Sequence, residues 1–280
     1  MAGEQESVTL GRRAAVLGSP ISHSLSPTLH RAAYQALGLD WSYDAIDVDQ
    51  AHFTNAIATL LADATVAGLS VTMPLKESAL AAADTASDLA RQTRVANTLI
   101  VRNGKLDAHN TDPAGIVWAL SRAGSIDVSA GAGVVGAGAT ARSAIAALAE
   151  VGVRSVDVVA RRSTAIAELA EVAQSFGVTV SPHGWAEPGD VFDRPVVVST
   201  VPVGVADTFV EYVPADPGVL LDVVYAPWPT PLAEAWQHRG GTVVSGLEML
   251  VGQAGRQVEL MTGRTAPLDL MLKAGMAATR

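Results

Sequence analysis

The chain has no cysteine among its 280 residues, which excludes disulfide frameworks and thiolate metal sites. Histidine is scarce as well. The six present, His23, His30, His52, His109, His183 and His238, form no close ligand pair on one helix face, and no metal site is expected. Basic residues are outnumbered, 19 Lys and Arg against 28 Asp and Glu, and no basic cluster is long enough to line a groove. A net charge of −9 therefore argues against a general nucleic-acid binder. No stretch approaches the roughly 18 unbroken apolar residues of a membrane span. The opening residues, Met1 to Ser7, are polar and acidic rather than leader-like, so the cytoplasm is the expected location.

What is abundant is apolar. Hydrophobic residues make up 49% of the chain, with a mean hydropathy of +0.28, enough for buried cores and against disorder. The length suits two modest domains.

Strand and helix signals alternate. Ala14 to Leu17 reads as a strand and Pro27 to Leu37 as a helix, opened by Ser26 and stopped at Gly38. Trp41 to Val48 alternates as a strand, Ala51 to Leu61 is amphipathic, and Gly68 to Thr72 is a further short strand. Thr98 to Val101 and Lys105-Leu106 flank Asn103-Gly104, a two-residue hairpin signal. A helix opens at Asp112-Pro113. Strands are expected near 156–160, 178–181, 195–199, 219–223 and 242–244, and two helices within 246–278. The fold class is α/β with mostly parallel sheets.

Near the middle of the chain a strand runs into a glycine turn, Val134-Val135-Gly136-Ala137-Gly138-Ala139-Thr140-Ala141. Gly131-Ala132-Gly133-Val134-Val135-Gly136 matches G-x-G-x-x-G by letter, but no strand precedes Gly131. The register that places strand before turn is Gly136-x-Gly138-x-x-Ala141, with Ala at the helix-packing position. Such a turn brings backbone N–H groups and a helix N-terminus onto a pyrophosphate; alone it fits a flexible Gly/Ala loop as well. The next strand ends at Ala160, about 20 residues on, where an NAD site would carry an acid. Here Arg161-Arg162-Ser163 follows. Two guanidiniums and a hydroxyl suit a 2′-phosphate, which with the turn points to NADP(H).

Polar residues gather where strands end, the place such folds put their sites. Ser24 and Ser26 precede a helix N-terminus and can receive a carboxylate, although Ser26 can also simply cap the helix. Lys76, after Ser70-Val71-Thr72-Met73-Pro74-Leu75, can be held away from water and exchange a proton with a reacting hydroxyl, or be an ordinary surface lysine. Asn97-Thr98 and His109-Asn110-Thr111-Asp112-Pro113 follow. Asp112 is a good N-cap, or a carboxylate that orients Lys76. Gln253, on the apolar helix Gly246-Leu247-Glu248-Met249-Leu250-Val251-Gly252-Gln253-Ala254, needs partners, either a ligand or another helix.

These segments, in this order around the glycine turn, resemble the shikimate dehydrogenase family from Gly18 to about Gly263. Its G-x-P-I-x-H-S-x-S-P, V-T-x-P-x-K, A-N-T, N-T-D and G-L-x-M-L-V-x-Q-A elements are similar to the segments holding Ser24 and Ser26, Thr72 and Lys76, Asn97, Asp112, and Gln253. Asp222-Val223-Val224-Tyr225-Ala226-Pro227 with Thr230-Pro231-Leu232 resembles its D-x-x-Y-x-P…T-P-L. The chain departs from the family at Ser70, at Ala139, at Ala160-Arg161-Arg162 and at Ser199-Thr200-Val201, but keeps the lysine and the aspartate.

The resemblance implies NADPH-dependent reduction of 3-dehydroshikimate to shikimate, in the shikimate pathway of aromatic amino-acid biosynthesis. It implies Lys76 and Asp112 as the catalytic pair, and substrate contacts from Ser24, Ser26, Thr72, Lys76, Asn97, Asp112, Tyr225 and Gln253. For the cofactor it implies Gly136, Ala137, Gly138, Ala139, Thr140, Ala141, Arg161, Arg162, Ser163, Thr200, Val201 and Gly246. A discontinuous architecture follows. Residues 1–112 and 246–280 form an α/β substrate domain with a mostly parallel sheet, and 113–245 a Rossmann-type dinucleotide domain. The expected partners are the small-molecule substrate and NADP(H), in a monomer or homodimer, with neither nucleic acid nor membrane. A quinate or dual-specificity dehydrogenase is the alternative within the class. A protein that senses NADPH without turnover is the alternative outside it, although such a protein could lose Lys76 or Asp112 freely.

Overall fold

A computed structural model describes residues 11–279; Met1 to Ser7, where no leader was read, lies outside them. Ala14, Ala15, Val16 and Leu17 are all buried, because β1 (Arg12–Gly18) runs through the interior of a sheet. Parallel neighbours flank it on both sides, β2 (Trp41–Asp47) and β3 (Val66–Val71). β3 is buried along its whole length, as a run of apolar residues inside a two-sided sheet must be. Beyond β3 the direction changes. β5 (Thr98–Arg102) and β6 (Lys105–His109) form the expected hairpin, with φ of 54° at Asn103 and 72° at Gly104. The hairpin joins β3 in antiparallel sense, and β4 (Thr85–Ala86) closes the sheet in the order β2-β1-β3-β5-β6-β4. The sheet is thus parallel except around β5, the strand that follows Asn97.

The second sheet is parallel throughout. It contains β7 (Ala132–Val135), β8 (Ser155–Ala160), β9 (Thr179–Gly184), β10 (Val196–Ser199), β11 (Val219–Asp222) and β12 (Thr242–Ser245), ordered β12-β11-β10-β7-β8-β9. Counted from β7 this is the 3-2-1-4-5-6 order of nucleotide-binding folds, with the direction of winding reversing between β7 and β10. A crevice at the carboxyl ends of those two strands is where such sheets take their ligands.

Helices follow strands in both halves: α1 (Ser26–Ala36) and α2 (Phe53–Leu61), then α3 (Lys76–Ala81) and α4 (Asp88–Thr93), then α5 (Asp112–Ser121) between the sheets. α6 (Ala139–Glu150), α7 (Ser163–Ser175) and α8 (Pro231–His238) cover the second sheet. α3, β4 and α4 were not read from the sequence. Six-residue helices show less than two turns of periodicity, and Ala79 to Ala83 offers little contrast between faces.

The last stretch is two helices, as expected. α9 (Gly246–Thr262) leaves the end of β12 and returns to the first sheet, where with α10 (Leu268–Ala278) it packs on α1. Leu29, Ala33 and Tyr34 meet Leu247, Val251, Ala254, Val258 and Met271 there. α5 and α9 cross at close range through two glycines. A Cβ on Gly115 would lie 2.5 Å from the Met249 carbonyl oxygen, and one on Gly252 would lie 2.9 Å from Gly115 Cα. This crossing sets the start of α5 beside the middle of α9.

Candidate active site

The loops after β1, β3 and β11, the starts of α1, α3 and α5, and the middle of α9 meet around one cavity. The loop after β1 brings Ser24 and Ser26. Helix α1 starts at Ser26, one residue earlier than read, so Ser26 is already inside its first turn. No side chain caps the helix at Leu25, and it is Ser24 Oγ that accepts the Ser26 N–H, at 3.3 Å. Ser26 therefore does not cap the helix as foreseen; Ser24 holds its N–H, and the buried Ser26 lines the cavity.

Lys76 is the first residue of α3, and its side chain is only 12% exposed. Its Nζ donates to Asp112 Oδ2. Asp112 is the first residue of α5 rather than its cap: Thr111 holds the cap position, and no side chain caps the helix. The carboxylate is held from both sides, by Lys76 on Oδ2 and by Asn97 Nδ2 on Oδ1 at 2.7 Å. A carboxylate 4% exposed is stable as an ion only with such partners. Asn97 is itself buried and does not line the cavity. Its Oδ1 accepts the Thr111 N–H at 2.8 Å, and its amide hydrogens go to Asp112 and to Gln253 Oε1. A substrate contact by Asn97 requires one of these bonds to give way. Ser143 Oγ on α6 reaches Asp112 Oδ2 at 3.5 Å and accepts from Asn110 Nδ2 at 2.9 Å, tying the pair to the half of the molecule that holds the glycine turn.

The cavity between these groups measures about 210 Å³, below the range of about 300–1,000 Å³ for drug-sized ligands, and so fits a small molecule. Ser24, Ser26, Thr72, Lys76, Asp112, Tyr225 and Gln253 all line it, alongside apolar Val16, Ile21, Val71 and Leu250. Tyr225 comes from the loop after β11. Asp222 pins that loop by accepting from Thr230 Oγ1 at 2.7 Å and from the Val224 N–H at 3.2 Å. Burial pushes the Asp222 carboxyl up, and likewise the Tyr225 phenol. Four hydroxyl residues counting Ser70, an ammonium beside a carboxylate, a phenol and two amides, set among apolar side chains, suit a polyhydroxylated acid.

Gln257, Ser70 and His23 line the same cavity but were not expected as site residues. The signal for Gln257 was present. It is a second amide one turn beyond Gln253 on an apolar helix, and it is buried.

The glycine turn has the register read from strand placement. β7 ends at Val135, Gly136 follows with φ of 103°, and α6 begins at Ala139. Gly133 lies inside the strand, so the letter match from Gly131 is accidental. Gly136 is required twice over, since a Cβ there would also sit 2.6 Å from Thr200 Oγ1. Thr200 donates to the Val135 carbonyl at 2.8 Å and so braces the turn, with Val201 buried beside it. Gly138 is exposed, and a Cβ there would meet nothing within 4 Å. Ala137, Thr140 and Ala141 complete the turn. Gly246 allows α9 to start against the β11 loop, where a Cβ would lie 2.0 Å from the Val223 carbonyl oxygen. Arg161, Arg162 and Ser163 are exposed at the end of β8. Arg161 lies over Trp185 at 5.9 Å, and neither arginine pairs with a carboxylate among the described residues. An open glycine turn at a helix N-terminus and two free guanidiniums beyond the next strand fit a dinucleotide with a 2′-phosphate.

A parallel sheet in nucleotide-binding order, joined to a buried lysine–carboxylate pair in a small polar cavity, defines a pyridine-nucleotide-dependent oxidoreductase. Known proteins narrow the class. The family described as "Shikimate dehydrogenase substrate binding domain" matches residues 16–99, and "Shikimate 5'-dehydrogenase C-terminal domain" matches residues 246–274. A shikimate dehydrogenase (NADP(+)) of Cereibacter sphaeroides is 38% identical over 95% of this chain and 97% of its own length. The crystal structure of Mycobacterium tuberculosis shikimate dehydrogenase superposes with a TM-score of 0.85 at 41% identity, covering 95% of this chain and 99% of that one. A shikimate 5-dehydrogenase from Thermus thermophilus, solved in complex with NADP(H) and shikimate, gives 0.84 at 33% identity, covering 95% and 99%. The chain belongs to the shikimate dehydrogenase family.

Proposed function

We propose that this protein reduces 3-dehydroshikimate to shikimate with NADPH, reversibly, in the shikimate pathway, and that Lys76 and Asp112 carry the proton transfer. The observation that supports the residue assignment best is the buried Lys76–Asp112 pair on the wall of a cavity with the Ser24 and Ser26 hydroxyls. Bound NADPH supplies the hydride for the C3 carbonyl carbon. Lys76 Nζ gives its proton to the carbonyl oxygen as that oxygen becomes the C3 hydroxyl, and takes it back in the reverse direction. Asp112 holds Nζ in place and balances its charge, and Asn97 holds Asp112. Ser24 and Ser26, at the N-terminus of α1, receive the ring carboxylate with help from the helix dipole. Thr72, Tyr225 and Gln253 line the same wall for the ring hydroxyls. The turn from Gly136 to Ala141, with Thr200, Val201 and Gly246, takes the pyrophosphate and nicotinamide side, and Arg161, Arg162 and Ser163 the 2′-phosphate.

In this reading residues 1–112 and 246–280 are the substrate domain and 113–245 the dinucleotide domain. Two contacts support the division: α9 and α10 pack on α1, and Ile116, Ala119 and Leu120 of α5 pack into the core of the second sheet. The protein acts in the cytoplasm as a monomer or homodimer. One assay tests the function: oxidation of shikimate and of quinate in parallel, each with NADP and with NAD. Turnover led by shikimate with NADP is the expected result. Preference for quinate would overturn the substrate, and silence with all four pairs would indicate a sensor without turnover.

A further inference from the structure

Three side-chain amides, Asn97, Gln253 and Gln257, meet between β5 and α9. Each amide has one donating and one accepting end. Main-chain groups without that freedom decide which end points where. The Thr111 N–H can only donate, and it lies 2.8 Å from Asn97 Oδ1; the Asn97 amide hydrogens therefore face Asp112 Oδ1 and Gln253 Oε1. The Asn97 carbonyl can only accept, and it lies 3.3 Å from Gln257 Nε2. Gln257 Oε1 is then turned away and accepts from Ser70 Oγ at 2.8 Å, which itself accepts from Tyr43 Oη at 2.6 Å. From this fixed amide, Nε2 shares its two hydrogens among the Asn97 carbonyl, Thr98 Oγ1 at 3.1 Å and Gln253 Oε1 at 3.3 Å. Gln253 Oε1 thus faces two donors, and its Nε2 is the end left for the cavity that Gln253 lines.

We propose that Gln257 is a positioning residue for the substrate: by holding Gln253 Oε1 it makes Gln253 present an N–H donor to the cavity, so that this wall takes an oxygen lone pair and disfavours an ammonium. Ser70 and Tyr43 back the arrangement from behind. Without Gln257, only Asn97 holds the Gln253 oxygen, and Asn97 divides its hydrogens between Gln253 and Asp112.

The kinetic test rests on the shikimate reading given above. Gln257→Met, Gln253→Met and the double variant are compared in shikimate oxidation with NADP. Gln257→Met is expected to raise KM for shikimate on the order of tenfold, the worth of one neutral hydrogen bond, with kcat within about twofold and KM for NADP unchanged. In the Gln253→Met background the same change is expected to add nothing, because its route to the substrate is gone. An undiminished effect in that background would overturn the proposal, as would an unchanged KM in the single variant. A second readout does not need turnover, so it separates failure of this proposal from failure of the substrate reading. The ¹⁵N–¹H side-chain amide pair of Gln253, identified by its loss in Gln253→Met, is expected to shift in Gln257→Met. If it stays in place, Gln257 does not set it, whatever the enzyme turns over. If Gln257→Met fails to fold, Gln257→Glu replaces it in both measurements. The Glu carboxylate brings an acceptor to Gln253 Oε1, so KM for shikimate is expected to climb with pH, and a flat profile would refute the role.

Discussion

Substituting alanine for Gly115 adds one methyl group at a residue that does not line the cavity, yet the structure predicts a loss of both stability and turnover. The new Cβ would lie 2.5 Å from the Met249 carbonyl oxygen and 2.9 Å from both the backbone nitrogen and the Cβ of Gln253. Ordinary van der Waals contact begins near 3.4 Å, so the nearest approach is short by about 0.9 Å. Two of the three obstructing atoms are backbone, and no rotamer change relieves them; α5 and α9 must separate. Overpacking of this kind costs about 1–3 kcal/mol, which in a chain of this size lowers Tm by several degrees. The separation also moves Asp112, on the first turn of α5, away from Gln253 on α9. A displacement near 1 Å in a catalytic arrangement lowers the rate on the order of 10²-fold. Thermal melts and steady-state shikimate oxidation on the same preparations provide the assay. Wild-type Tm together with wild-type kcat/KM in Gly115→Ala would refute the claim that this crossing positions the site.

Replacing Arg161 and Arg162 with Ser is expected to raise KM for NADPH on the order of tenfold or more, because charged hydrogen bonds to the 2′-phosphate are lost, and to leave KM for NADH nearly unchanged. Equal changes would show that the pair does not read the phosphate. His30 supplies a pH dependence of stability. Its Nδ1 donates to the Ser26 carbonyl at 2.9 Å, its ring stacks on Tyr43 at 3.9 Å with Tyr34 at its edge, and burial lowers its pKa from 6.5 to about 4. A folded pKa below the unfolded one means that stability is complete above pH 6.5 and falls as the pH drops toward 4, by about 3 kcal/mol. Urea midpoints at pH 7 and pH 4.5 are expected to differ by less in His30→Asn than in the wild type, and an equal difference would remove His30 as the cause.

Much of the fold is legible because strand ends carry local signals. The apolar runs and the Asn103-Gly104 turn depend on neighbours in sequence, and the Val134-Val135 strand settles the register of the glycine turn. The small elements between Lys76 and Thr93 are not legible, being too short to show a period. At the site, residue types were readable but their tasks were not. Ser26 and Asp112 both read as helix caps, since both stand at helix starts; a one-residue difference in where α1 begins gives the N–H to Ser24, and a lysine 36 residues away takes the Asp112 carboxylate. Tyr225 carried no signal apart from family resemblance, because its approach depends on the Asp222–Thr230 hydrogen bond across a loop. The Gly115–Gly252 contact joins residues on two distant helices, and either glycine alone reads only as a poor helix former.

The central claim is that Lys76 exchanges the proton at the C3 oxygen with Asp112 beside it. Pre-steady-state or steady-state shikimate oxidation by Lys76→Ala, with saturating NADP and folding confirmed by its melt, tests it most directly. The expected kcat is lower by on the order of 10²–10⁴-fold, the usual contribution of a positioned acid or base. A folded Lys76→Ala enzyme with near-normal kcat would contradict the account.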